Sequence, residues 1–352
     1  MAFAKYLMFR PFSGYDSAGI IFASLAISTL SWKYIEQPFR GKRMVLPERK
    51  RLFAFAGVVM VVAVGTGGVM HLQNGILPWT RQCAPDIRFK GLVSNSPDKP
   101  ILIGDTAKDG SFVVWGDSHA GSLAPALQVS GLDNGVSGYV FSAGSTLPIL
   151  SVERYTSEVN DQHYKDSDVI RFDERQFNDG VFSFIQKNNI KNVFLVGAWS
   201  HYAKGKGVLL IEGNKELPSE SRFERICDEL KKTVELLKKE GVHVYVVLDV
   251  PAFNTNPIRF VCLEKRYPGV HYFSAWRDGV TFTADYQQFN PMFNAYALRE
   301  FENVLQPISS EGRCADIIVN GGTVNYSDSN HLSFAGAAAV SSVFDEALKN
   351  NE

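Results

Sequence analysis

A serine in the first half of the chain and an aspartate with a histidine near its end have the side chains that acyl transfer requires. Ser118 follows the apolar residues Val113 to Trp115 in the stretch VVWGDSH (113–119), and Asp328 precedes His331 in YSDSNHLS (326–333). A serine hydroxyl is a poor nucleophile until an imidazole takes its proton, and that imidazole needs an acceptor on its other nitrogen to fix the tautomer. The residue types therefore predict Ser118 as nucleophile, His331 as general base and Asp328 as the residue that orients it.

The residues around Ser118 allow two interpretations. Gly116 permits a tight turn after an apolar strand, and a helix that starts at Ser118 offers unpaired N–H groups to a developing oxyanion. Alternatively, Asp117 or Ser118 only caps that helix, because both residue types are preferred at N-caps. The stretch by itself leaves both interpretations open. Its conjunction with a D-x-x-H pair more than two hundred residues later favours the catalytic one.

Short apolar runs separated by amphipathic stretches predict the elements that position these residues. Strands and helices that alternate in this way are typical of an α/β fold with a mainly parallel sheet covered on both faces. Ligands of such sheets collect at the carboxyl ends of the strands, where Ser118 is expected. The predicted strands are Ser111 to Trp115, Gly138 to Ser142, Asn192 to Gly197 and Val242 to Leu248, and the predicted helices are Ser118 to Val129, Ser221 to Glu240 and Ser333 to Lys349.

The composition argues against several other functions. A formal net charge of -1 over 352 residues gives no general attraction to nucleic acid, so no nucleic-acid partner is expected. The four cysteines are widely spaced and form no C-x-x-C pair, which argues against a zinc ribbon or a thioredoxin-like site. One D-x-x-H pair is too small to hold a metal ion, so no metal is predicted.

Two uncharged apolar runs near the N-terminus, at residues 17–32 and 52–70, predict membrane helices. We expect transmembrane helices at about 14–35 and 52–70, with a buried core helix as the alternative for each. The basic segment RGKRMVLPERKR between them is typical of a short cytoplasmic loop, which places everything after residue 75 outside the cytoplasm. That compartment is oxidising, so one or two disulfides are expected, although their pairing does not follow from the sequence.

The chain divides into three predicted parts. Residues 1–75 form the membrane segment with the two predicted helices. Residues 76–110 are rich in Pro, Gly, Asn and Asp and are predicted to be a linker that wraps onto the following domain. Residues 111–352 contain the candidate catalytic residues and form the predicted α/β domain.

The pair of motifs GDSH and DSNHLS resembles the SGNH-hydrolase superfamily, whose first block carries the nucleophile and whose last block carries the aspartate and histidine. The forms WGDSH and HLSFAGA, and the stretch SWKYIEQPFRGKR, resemble a narrower group. These are the family 3 membrane acyltransferases that carry an SGNH domain behind their last transmembrane helices. The resemblance covers essentially the whole chain. It implies a three-layer α/β/α domain and O-acetyl transfer to extracytoplasmic glycans such as lipopolysaccharide O-antigen or peptidoglycan.

The resemblance also implies an oxyanion hole. One donor is the backbone N–H of Ser118, and the second is the N–H of Gly144, which follows a predicted strand. The family's third block supplies an asparagine, but VGAWSHY (196–202) contains none. Trp199 or Ser200 is therefore expected to line the site instead.

Three further residues are candidates for substrate contact. Asp117 and His119 flank the nucleophile, and the alternative for His119 is a structural role at the start of the helix. His201 stands at a predicted strand end, where the alternative is a solvated side chain.

Partners follow from the same resemblance. Family members contain further membrane helices that handle the acyl donor, so we expect this chain to work with an acyltransferase membrane domain, in the same or a separate chain. A donor such as acetyl-CoA is expected to act through that domain, and no cofactor is expected in this chain. The expected location is the inner membrane, with the SGNH domain on the periplasmic side.

Two alternatives to acyl transfer remain open. The same triad with water as acceptor is an esterase or glycan deacetylase. The missing asparagine instead favours a catalytically silent glycan-binding module.

Overall fold

The computed structural model describes residues 12–37, 49–72, 91–151, 153–155, 174–204, 209–212, 215–216, 218, 221–258, 261–262 and 279–349. The chain divides into two compact units. The first comprises Met1–Pro85 and Arg259–Gly279, and the second comprises Asp86–Ile258 and Val280–Glu352. Every candidate catalytic residue belongs to the second unit.

In the first unit, two helices form where the sequence contains its apolar runs. Helix α1 is Gly14–Ser31 and helix α2 is Arg49–Leu72. A capping box begins α1, because the Ser13 hydroxyl accepts a hydrogen bond from the backbone of Asp16 and the Asp16 carboxylate accepts one from the backbone of Ser13. A π-helical turn, Trp32–Glu36, follows α1.

Large apolar side chains of both helices are exposed, among them Phe22 and Leu25 of α1 and Val61 of α2. Across the part of the chain that the structure describes, no helix combines the length and the apolar character needed to cross a membrane. The two predicted transmembrane helices are therefore not supported, although helices form at both places. Most of the predicted basic loop falls on residues 38–48, outside the described residues.

The second unit is built from short strands and helices in alternation. Its helices, in chain order, are α3 Ser118–Asp133, α4 Glu174–Lys187, α5 Trp199–Lys204, α6 Arg222–Lys239, α7 Ala284–Glu300, α8 Cys314–Ile318, α9 Phe334–Ala338 and α10 Asp345–Lys349. Its strands, in chain order, are β1 Ile101–Gly104, β2 Gly110–Gly116, β3 Ser137–Ser142, β4 Glu153–Tyr155, β5 Asn192–Val196, β6 Leu209–Glu212, β7 Lys215–Glu216, β8 His243–Val247, β9 Val304–Leu305, β10 Val319–Asn320 and β11 Thr323–Val324.

The main sheet has six strands in the order β1-β3-β2-β5-β8-β9. All neighbours in it are parallel except β1, which runs antiparallel to β3. Gly116, the last residue of β2, lies opposite Ser142 of β3 and Val196 of β5. The carboxyl ends of these three strands therefore meet at one edge of the sheet. The predicted α/β fold with a mainly parallel sheet is confirmed.

Helices cover both faces of this sheet because successive residues of each strand point to opposite sides. One face packs against α4, α6 and α7 in a core that includes Val113, Trp115, Leu195, Val246, Phe177, Leu230 and Phe293. On the other face, Phe112 of β2 contacts Phe194 of β5 edge to face, and Phe194 in turn packs against Phe344. The result is the expected three-layer arrangement.

The predicted closing helix, residues 333–349, is wrong as a single element. It is broken into α9, a 3₁₀ turn at Ser341–Phe344, and α10. The break allows Phe344 to enter the core, and the following carboxylate of Asp345 accepts hydrogen bonds from Ser130 and Asn134 of α3. Tertiary packing therefore overrides helical continuity here. Strand β1 lies within the segment 76–110 that was predicted to be a linker.

Candidate active site

The turn from β2 into α3 places Ser118 at the carboxyl edge of the sheet. Gly116 ends β2 so close to its neighbour that a Cβ atom there would lie 1.7 Å from the carbonyl oxygen of Val196. Only glycine is therefore compatible with this backbone position. Asp117 follows as the N-cap of α3, and its carboxylate accepts a hydrogen bond from the backbone N–H of His119 at 2.8 Å.

Asp117 is an anchor of the turn and not a substrate contact. Its carboxylate also accepts hydrogen bonds from the backbone N–H of Ala198, at 2.9 Å, and from the hydroxyl of Tyr202, at 3.0 Å. Since the residue is only 1% exposed, three internal donors hold it and no ligand reaches it. The carboxylate thus ties the turn after β2 to the segment that follows β5. The predicted substrate contact at Asp117 is wrong.

The structure brings Ser118, His331 and Asp328 together in one hydrogen-bonded chain. The Oγ of Ser118 lies 2.7 Å from Nε2 of His331, and Nδ1 of His331 lies 2.8 Å from Oδ2 of Asp328. All three residues are partly accessible, with 26% of the His331 side chain exposed. These distances match the connectivity that serine catalysis needs, and the roles of the three residues remain predictions.

Asp328 is held as a carboxylate by its surroundings. Its Oδ1 accepts hydrogen bonds from the backbone N–H groups of Asn330, at 2.9 Å, and His331, at 2.8 Å. Partial burial acts in the opposite direction, but the His331 side chain and these two N–H groups together lower the pKa of Asp328. The ionised carboxylate fixes the tautomer of His331, so that Nε2 is free to accept the serine proton.

The loop that carries Asp328 and His331 is anchored on both sides. Tyr326 and Leu332 form an isolated antiparallel bridge across its base, and the backbone N–H of Phe253 donates to the carbonyl of Ser329 at 2.7 Å. Ser333 caps α9 directly behind the loop, and its hydroxyl donates to the carbonyl of Val324. The position of His331 is therefore set by backbone hydrogen bonds on two sides.

A second polar chain lies beside the first and is buried. Nδ1 of His119 lies 3.0 Å from Oδ1 of Asp249, and Oδ2 of Asp249 accepts a hydrogen bond from Ser200 at 2.8 Å. Among the described residues, neither His119 Nδ1 nor Asp249 Oδ1 has a partner in hydrogen-bond geometry, so their contact is electrostatic. On its other side, Nε2 of His119 lies 3.2 Å from the side-chain amide of Asn330.

The charge of His119 results from opposed effects. Burial is the largest single effect and disfavours the charged imidazole. The Asp249 carboxylate and, to a smaller extent, Asp117 and Asp328 together outweigh burial and raise the pKa of His119 to about 9. The ring is therefore positively charged at neutral pH. The atom of Asn330 that faces Nε2 is its side-chain nitrogen. A charged ring donates from Nε2 and therefore needs the amide oxygen at this place, which a half-turn of the Asn330 side chain supplies.

The candidate oxyanion donors lie at the same edge of the sheet. Ser118 opens the first turn of α3, where backbone N–H groups have no partner within the helix. Gly144 is exposed, close after the end of β3, the strand next to β2. Their roles as donors remain predictions.

Trp199 and Ser200 do not replace the missing asparagine. Trp199 is 1% exposed, its indole N–H donates to the carbonyl of Val247 at 2.9 Å, and its ring stacks on Phe293. It is a core residue, because a large apolar ring at this position fills the space between the sheet and α7. Ser200 is equally buried, and its hydroxyl is directed to Asp249. His201, in contrast, is exposed and contacts the ring of Tyr202.

Two residues of the site were not predicted from the sequence. Asp249 directly follows the strand β8, and an acid after a strand of a parallel sheet is the signal that points to it. Asn330 lies inside the D-x-x-H motif, where the pattern specifies only the first and last residues. Among the described residues, no group of three or more potential metal ligands occurs.

A three-layer α/β domain with a mainly parallel sheet, and with a serine, a histidine and an aspartate joined at its carboxyl edge, defines the SGNH-like class. The chain belongs to the family described as SGNH domain (fused to AT3 domains), whose model matches residues 84–346. The match begins after residues 1–75, so it remains a prediction that this predicted membrane segment is the remnant of an acyltransferase membrane domain.

Two solved structures match this chain at low identity. The periplasmic domain of a lipopolysaccharide acetyltransferase from Salmonella ser. Paratyphi A is 12% identical, with a TM-score of 0.48, covering 78% of this chain and 97% of that one. A Bacteroides fragilis protein assigned as an acylhydrolase is 15% identical, with a TM-score of 0.37, covering 71% and 91%. Both identities are too low to carry an activity over to this chain. A search of curated proteins finds no match.

Proposed function

We propose that this chain is an O-acyltransferase that moves a short acyl group, acetyl in the simplest case, onto a hydroxyl of an extracytoplasmic glycan such as lipopolysaccharide O-antigen or peptidoglycan. The observation that carries the proposal is the hydrogen-bonded chain from Ser118 through His331 to Asp328, with distances of 2.7 and 2.8 Å. Membership of the SGNH family supports acyl chemistry at this site.

The first half-reaction loads the enzyme. The Oγ of Ser118 attacks the carbonyl carbon of the acyl donor while Nε2 of His331 takes the hydroxyl proton. The tetrahedral intermediate carries its negative charge on the former carbonyl oxygen, next to the N–H groups of Ser118 and Gly144 that we propose as donors. When the intermediate collapses, the bond to the leaving group breaks, His331 returns its proton to that group, and the acyl group stays on Ser118 as an ester.

The second half-reaction repeats these steps with a new nucleophile. A sugar hydroxyl gives its proton to His331 and attacks the acyl-serine, and the proton then passes to Oγ as Ser118 leaves. Asp328 stays ionised throughout, because hydrogen bonds from two backbone N–H groups and from His331 stabilise its charge. The product is the O-acylated sugar, and the free serine is restored.

Transfer in preference to hydrolysis is supported by the family description, since these SGNH domains are fused to AT3 domains. We propose that an acyltransferase membrane domain is the partner that delivers the acyl group, and that a donor such as acetyl-CoA reacts there. With water as the acceptor, the same residues would act as an esterase or glycan deacetylase. The catalytically silent glycan-binding module is the third candidate, favoured by the absence of asparagine in VGAWSHY.

An extracytoplasmic location at the inner membrane is part of the proposal. Membership of the family of SGNH domains that are fused to AT3 domains supports it. Cys262 is disulfide-bonded, whereas Cys227 and Cys314 are free thiols. A disulfide is consistent with an oxidising compartment.

The decisive experiment compares the purified full chain with its Ser118→Ala variant. Each is incubated with p-nitrophenyl acetate as donor and with O-antigen polysaccharide or peptidoglycan fragments as acceptors, and both released acetate and acetylated sugar are measured by mass. We expect Ser118→Ala to lose roughly 10³-fold or more in turnover. Ser183→Ala is the matched control, because Ser183 is an exposed residue of α4 whose hydroxyl donates to the backbone carbonyl of Asp179.

Each outcome selects one function. Sugar acetylation that depends on Ser118 supports transfer. Acetate release without sugar acetylation supports the esterase. Undiminished turnover in the Ser118→Ala variant would exclude both enzymes. Glycan binding without any turnover by the wild type would favour the silent module.

A further inference from the structure

A second histidine–aspartate pair lies directly behind the catalytic histidine and has no part in the steps described above. His119 is 4% exposed and Asp249 is 5% exposed, so neither side chain reaches a substrate. The rings of His119 and His331 are neighbours, with centroids 5.1 Å apart at an interplanar angle of 65°. Burial of an ionisable pair costs desolvation free energy. Ionisable groups that are nevertheless buried are concentrated at functional sites, so this pair is a candidate for a functional role.

The contacts of His119 lead to the catalytic loop. Its Nε2 meets the side-chain amide of Asn330, and the backbone N–H of Asn330 donates to Asp328, the residue that orients His331. On the opposite side, Asp249 is fixed by the hydroxyl of Ser200. An unbroken line of polar contacts therefore runs from the segment after β5, through His119, to the loop that carries the base.

We propose that His119, paired with Asp249, is a positioning residue that holds the catalytic loop through Asn330 and keeps a positive charge beside the ring of His331. The proposal rests on the proposed function of Ser118, His331 and Asp328. It assigns His119 a role that differs from the substrate contact predicted from its place next to the nucleophile.

The charged groups around His119 determine what this positive charge does. Asp249 faces it from the segment after β8, Asp117 from the turn after β2, and Asp328 and His331 from the catalytic loop. Tyr286 and Tyr326 lie near Asp249, and burial together with that carboxylate raises the pKa of both phenols, which therefore stay neutral.

Because the pKa of His119 is raised to about 9, an imidazolium stands beside His331 at neutral pH. A like charge at this separation makes a second imidazolium less favourable. His119 is thus a charged neighbour of the residue that we propose accepts the serine proton.

The test replaces His119 by Gln in the full chain and follows His331 without relying on activity. Histidine ring resonances are titrated by NMR, and His331 is assigned from a His331→Gln variant. In His119→Gln, we expect the midpoint of the His331 titration to rise by roughly 0.5–1 pH unit, from Coulomb's law at about 5 Å in a largely solvated setting. The acid limb of the pH profile of kcat/KM for p-nitrophenyl acetate should move upward by the same amount.

Two further variants complete the design. The double variant His119→Gln/Asp249→Asn removes both charges and avoids leaving a buried carboxylate without its cation, so it serves if the single variant is unstable. The double variant should show the same upward displacement of the His331 titration midpoint and of the acid limb of the kcat/KM profile. His243→Gln is the matched control, because His243 is exposed at the opposite, amino-terminal end of β8, and it should leave both curves unchanged.

The outcomes separate this inference from the proposed function. A loss of kcat without displacement of the NMR titration or of the kcat/KM profile would mean that His119 only supports the fold. An enzyme with unchanged kcat and unchanged curves would mean that His119 has no role. Either result overturns the proposal. If the wild type fails to turn over the ester, the proposed function fails, while the NMR titration still decides whether the positive charge acts on His331.

Discussion

Replacing Asp328 by Asn tests the proposed mechanism most directly. In the wild type, Oδ1 of Asp328 accepts hydrogen bonds from two backbone N–H groups, and Oδ2 of Asp328 accepts one from Nδ1–H of His331. The two backbone donors require an oxygen where Oδ1 of Asp328 lies. The side-chain NH₂ group of the variant must therefore face Nδ1 of His331. His331 then carries its proton on Nε2 and donates toward Ser118 when it should accept.

In a serine protease, the corresponding Asp-to-Asn substitution produces this wrong tautomer and lowers kcat by about 10⁴-fold. That loss is equivalent to roughly 5 kcal/mol of transition-state stabilisation. We expect a loss of that order for Asp328→Asn. The assay is steady-state turnover of p-nitrophenyl acetate, with circular dichroism to verify folding. Asp316→Asn serves as the control, because Asp316 is exposed and forms an ion pair with Arg313, and the activity of this variant should be unchanged. A folded Asp328→Asn enzyme within threefold of wild-type kcat would refute the assignment.

Two further predictions concern stability. Both carboxylate oxygens of Asp117 accept hydrogen bonds, so in Asp117→Asn the NH₂ group must face at least one buried donor. We expect a loss of roughly 2–4 kcal/mol in urea unfolding. The exposed control Asp133→Asn should have little effect, and equal stabilities would contradict the anchoring role. The pKa of His119 is raised from 6.5 to about 9 on folding, so its stabilisation is fully present below pH 6.5 and is lost as the pH rises through 9. Urea unfolding from pH 6 to pH 10 should show this decline in the wild type, and it should be absent in His119→Gln.

Most regular elements could be predicted because their signals are local. The strands at β2, β3, β5 and β8 are short apolar runs, and α3 and α6 begin and end at recognisable caps and glycines. The closing helix was mispredicted because its break depends on Phe344 entering a core formed by residues far away in the sequence. The edge strand β1 was missed for the same reason, since it is defined by pairing with β3 across one side of the sheet.

The candidate catalytic residues could be found from sequence because serine chemistry restricts residue types and leaves two recognisable motifs. The supporting residues could not. Trp199 and Ser200 occupy the place where the family has an asparagine, yet their side chains point into the core and toward Asp249. A sequence pattern gives the order of residues along a strand end, but the direction of each side chain depends on the helix and sheet packed against it.

The sequence by itself identified the candidate residues: a serine after a strand of an α/β domain, and an aspartate and a histidine in one loop near the end of the chain. Only the tertiary structure decided that Asp117 is an internal anchor and that His119 and Asp249 form a buried pair behind His331. The reason is physical. Residue types and periodicity are properties of neighbouring positions, whereas burial and electrostatic contact depend on which distant strands lie side by side.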